Sequence, residues 1–63
     1  MKANKKLDKV VELMFYKLAN GIQFNIMNLG KVGDAAKKVL LAGGELEDAE
    51  AAMQAAIAQY RMN

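Results

Sequence analysis

The sequence predicts an all-α domain, a long helix followed by a short one and a third packed back on both, assembled as a homodimer. Three observations lead there: apolar residues recur at steps of three and four along most of the chain, glycines are its only strong punctuation, and 54% of 63 residues are hydrophobic with no cysteine present. A single domain over residues 1–63 is expected. A core this small is marginal, so chains of this length lean on disulfides, metals or oligomerisation. Without cysteine or histidine, oligomerisation is the device left, because carboxylates alone suit only hard ions.

The third helix is the plainest. Leu46, Ala49, Met53, Ile57 and Tyr60 fall on one face, Gly43-Gly44 precedes it, acids open it and Arg61 closes it, predicting a helix over 46–61. Ala49, Ala52 and Ala56 beside Met53 would let a neighbouring helix approach closely, or simply reflect alanine's high helix propensity. The second helix is predicted from Asp34 as N-cap to Gly43 as the residue just past its end, with Val32, Ala36, Val39 and Leu40 inward and Lys37 and Lys38 outward. The Ala42–Glu45 link would fold it against the third helix as an antiparallel hairpin.

The first part of the chain admits two readings. Leu7, Val10, Val11, Met14, Phe15, Leu18, Ile22, Ile26 and Leu29 make one continuous helical stripe, giving a helix over about 5–28, roughly 36 Å long. Its far end would outrun the hairpin and need a second copy to cover it, leaving Phe24 exposed otherwise. Alternatively the helix stops at Asn20-Gly21, and a strand over 22–27 follows with Ile22, Phe24 and Ile26 inward and Gln23 and Asn25 outward. A lone strand cannot satisfy its amides, so it would pair with the same strand of another chain. On either reading the expected oligomer interface comprises Val11, Met14, Leu18, Ile22, Ile26, Met53 and Ile57.

Catalysis finds little material. The chain has no histidine, cysteine, serine or threonine, which removes hydroxyl and thiol nucleophiles and imidazole bases. Glu45, Glu47, Asp48 and Glu50 match no calcium loop and suit a helix start, where acids oppose the dipole. Gly30-Lys31-Val32-Gly33 lacks the spacing and hydroxyl of a phosphate loop. Neither a catalytic residue, a cofactor nor a metal is expected. The net charge of +2 is sorted along the chain, lysine-rich over 1–19 and acidic over 45–63. Helix dipoles account for that pattern, as would a basic end that binds a partner or docks the acidic end of another subunit.

Under the strand reading, Gln23-Phe24-Asn25-Ile26, Val32, Asp34, Lys37-Lys38, Val39 and Gly44 resemble the ribbon-helix-helix repressors of the Arc type. That resemblance, confined to residues 22–44, implies an intertwined dimer whose paired strands enter the DNA major groove. It implies base reading by Gln23 and Asn25, with Lys37 and Lys38 as further DNA-binding candidates. Met27 departs from the family's polar alternation, and the acids opening the last helix stand where the family tends to contact phosphate. The expectation from the residues themselves is a non-catalytic, cytoplasmic, homodimeric interaction or regulatory protein of the kind compact mobile-element genomes encode, binding an unidentified protein partner and no membrane. Dimeric, sequence-specific DNA binding is the alternative.

Overall fold

The computed structural model describes residues 5–62, built as α1 (Lys5–Ala19), α2 (Ile26–Leu41) and α3 (Leu46–Tyr60). The architecture is all-α, as expected, but the helices are nearly equal rather than long, short and medium. Lys2, counted in the basic end, lies outside the described residues.

Helix α1 carries Val11 and Met14 into the core, with Leu7, Val10, Phe15 and Leu18 packed around them. It does not continue to residue 28. Gly21 takes φ +82°, a conformation that an L side chain resists, and the Ile22 N–H turns back to the Ala19 carbonyl at 3.0 Å. Residues 22–25 then run as an irregular link. The expected strand over 22–27 shrinks to one antiparallel bridge between Phe24 and Arg61, beside a 2.8 Å bond from the Met62 N–H to the Gln23 carbonyl. The bridge is made within one chain. Phe24 is half-buried, its ring centroid 5.9 Å from that of Phe15, so this chain covers the aromatic that a long helix would have exposed.

Helix α2 starts well before the expected Asp34. Asn25 is its N-cap, with extended backbone (φ −65°, ψ 136°) and its Oδ1 accepting from the Met27 N–H at 2.9 Å. Asp34, Gly30 and Gly33 are therefore interior positions. Each glycine costs about 1 kcal/mol relative to alanine there. The helix persists through them because Val32 and Ala36 on its inner face are completely buried. Its end matches the expectation: Gly43 takes φ +90°, its N–H donates to the Leu40 carbonyl at 3.1 Å, and the Gly44 N–H donates to the Val39 carbonyl at 2.8 Å. That pair of bonds is the Schellman motif. Gly44 is required sterically, since a Cβ there would sit 2.9 Å from the Val39 carbonyl oxygen.

Helix α3 ends at Tyr60, with Arg61 as C-cap donating its N–H to Ile57. It buries Ala49, Met53, Ala56 and Ile57. The α2–α3 contact is the most extensive in the fold, and its antiparallel sense shows where Lys31 Nζ lies 5.5 Å from the Tyr60 ring centroid while the other ends meet through the Gly43-Gly44 turn. Helix α1 lies across this hairpin, held at its edges by Lys37–Asp8 at 3.1 Å and Lys17–Glu50 at 3.3 Å. No helix among the described residues is long and apolar enough to cross a membrane.

Candidate interaction surface

Every fully buried side chain among the described residues is apolar, and none of their acidic groups gather in threes as a metal site would need. Glu50 reaches Lys17, and Glu45, Glu47 and Asp48 are exposed around the start of α3. The interior thus offers packing and no polar chemistry. What the molecule can present to others lies on its surface.

The residues expected at an oligomer interface divide. Val11, Met14, Met53 and Ile57 belong to the core of the single chain, with Val11 also lining the groove between α1 and α2. Helical periodicity marks an apolar face without saying whether it meets its own chain or another. Leu18 and Ile22 are half-buried against the same core, whereas Ile26, just past the N-cap of α2, is 82% exposed. The DNA-binding candidates are not brought together. Gln23 is exposed in the link, the Asn25 side chain is engaged as a cap, and Lys37 and Lys38 stand about 18 Å further along α2, with Lys37 paired to Asp8.

A different set does converge. Between α1 and α2 runs an open groove of about 340 Å³, lined by Val11, Phe15, Tyr16, Leu29, Gly30 and Gly33, with Asp8, Glu12, Asp34 and Lys37 along its margins. By helical register Ile26 lies on the same face of α2 as Gly30 and Gly33, at the helix start and beyond the residues that line the groove. Met27, 79% exposed, stands next to it. Lys37 and Asp8 pair across one end, but Glu12 and Asp34 have no partner among the described residues. Nothing lies within 4 Å of where a Cβ would stand at Gly30, and at Gly33 the only such neighbour is Val11 Cγ1 at 3.7 Å, an ordinary contact. The sequence signal was present as Ile26, Leu29, Gly30 and Gly33 at helical spacing, hidden because the glycines read as helix ends. A second exposed apolar surface, with Leu13 and Leu46, lies on the other side of α1, where Lys17–Glu50 interrupts it.

Comparison of the chain with protein-family models, with curated proteins and with solved structures found no match in any of the three.

Proposed function

We propose that this chain is a small, non-catalytic, cytoplasmic interaction protein that self-associates and acts by binding another macromolecule. The observation that carries this reading is the exposed apolar surface along α1 and the start of α2, where Tyr16, Ile26, Met27 and Leu29 stand out from a chain whose core is already filled. Contiguous apolar patches of more than a few hundred Å² are uncommon on monomeric soluble proteins and mark contact surfaces. Sedimentation over a rising concentration series tests self-association. Conversion of the 6.9 kDa species to one of twice that mass is expected, and a monomer throughout would remove the reading.

Sequence-specific DNA binding lacks comparable support, because residues 26 and 27 are helical and Asn25 caps that helix. A selection from random duplexes near physiological salt, where nonspecific phosphate contacts fade, is expected to enrich no sequence. Recovery of a palindromic consensus lost on Gln23→Ala would reverse the preference.

A further inference from the structure

We propose that the occupant of the α1/α2 groove is a second copy of this chain, seated by an antiparallel, two-fold contact of α2 on α2 that brings Ile26 of each copy over Gly33 of the other. The inference deepens the self-association reading and rests on it.

The starting point is a cost without a return. Gly30 and Gly33 weaken the interior of α2, yet neither is required by the folded chain, since a Cβ at the first would meet open space and at the second an ordinary contact. Gly44, by contrast, is demanded by its turn. Glycines inside a helix with no local reason are accounted for by close approach of something outside it.

Leu29, Gly30 and Gly33 line the groove from α2, and helical register puts Ile26 on the same face one turn before Gly30, so this face has bulk at its start and gaps one turn later. Turned about a two-fold axis between Leu29 and Gly30, the pattern complements itself: Ile26 opposes Gly33, Leu29 opposes Gly30, and the reverse holds across the axis. An isologous contact uses one surface twice in this manner. An unrelated partner would have to supply both features separately.

Charge agrees with the same arrangement. Glu12 and Asp34, the two groove carboxylates without partners, lie at the level of Gly33, so they would flank the first turn of the other copy's α2. That turn contains no acidic residue of its own. Carboxylates beside a helix N-terminus are favourable. A standard interface takes about 800 Å² from each partner, about a sixth of this chain's 4742 Å². Two helix faces of this length give roughly 500 Å² in projection, more with corrugation.

Sedimentation of the full chain beside three variants tests the placement. Ile26→Asp puts an acid at an exposed first helical position, where the single chain tolerates it, and Gly30→Leu fills open space while favouring helix. Both are expected to keep their helical circular dichroism and to raise the dimer dissociation constant by more than about tenfold, each through a misfit at the contact. Leu41→Asp, also at an exposed position but outside the groove lining, should dimerise like the parent. As a check independent of affinity, Gly30→Cys in this cysteine-free chain should form a disulfide-linked dimer on oxidation and Leu41→Cys should not. A parent chain that is monomeric at every concentration would sink the self-association reading itself. A dimer indifferent to Ile26→Asp and Gly30→Leu would overturn the groove assignment alone.

Discussion

The two flanks of α2 use small residues to opposite ends. Toward α3 the small residues are alanines: Ala36 and Ala49 are completely buried against the facing helix, while Ala35, Ala52 and Ala56 line an open groove of about 590 Å³ that Lys31, Lys38 and Gln59 also border. Toward α1 the small residues are Gly30 and Gly33, and a groove remains open above them. The centre of the α3 flank is closed within the chain, and its groove has charged and amide side chains among its walls. The other has the makings of a contact, large side chains next to gaps, with nothing in the chain to complete it. Small residues thus accompany a buried helix contact at the centre of one flank and an open groove on the other, where the proposed second copy would sit.

The largest expected effect lies on the α3 flank. Met53→Asp should unfold the protein, since a carboxylate at a completely buried position without a partner costs several kcal/mol, while Gln54→Asp on the exposed face should be nearly silent in the same thermal melt. Equal melting of the two would mean that the faces of α3 are misassigned. Next comes a matched pair across α2. Ala56→Leu should destabilise by about 1–3 kcal/mol through overpacking against α2, whereas Gly30→Ala, measured in dilute solution, should stabilise the single chain by about 1 kcal/mol from helix propensity. A loss of stability at Gly30→Ala would show that the chain itself fills that space. The smallest effect belongs to the ion pair at the groove's end: Asp8→Ala should cost about 0.2–1 kcal/mol, because both Asp8 and Lys37 remain partly solvated. The loss should shrink as salt is added.

Much of this fold was legible from residue order. The face of α3, the glycine stop at Gly43 and the inward set Val32, Ala36, Val39 and Leu40 are local signals, each set by a period or by a conformation that only glycine adopts comfortably. The first half was harder because two correct signals overlapped. Asn20-Gly21 does end α1, and the apolar stripe does resume from Ile26 in helical register, so each reading of residues 20–28 held one true half. Asn25 was the deciding residue. Its side chain can face out from a strand or cap a helix, and the choice depends on Phe24 packing against Phe15 and on the Met62–Gln23 bond, which are contacts distant in sequence. The candidate surface was less visible still. Periodicity identified Val11, Met14, Met53 and Ile57 as apolar, but burial by α1, α2 and α3 of the same chain, a tertiary property, decided that they are core. The open groove emerged only once Gly30 and Gly33 were placed inside a helix.

Amide hydrogen exchange, compared between dilute and concentrated samples of the unmodified chain, tests most directly whether the α1/α2 groove is where a second copy sits. Concentration should raise protection along the start of α2, from residue 26 to 33, and on the facing part of α1 around Glu12 and Tyr16, leaving the protection pattern of α3 in step with global stability. Protection that does not change with concentration, or that rises first on the exposed face of α3, would contradict the account.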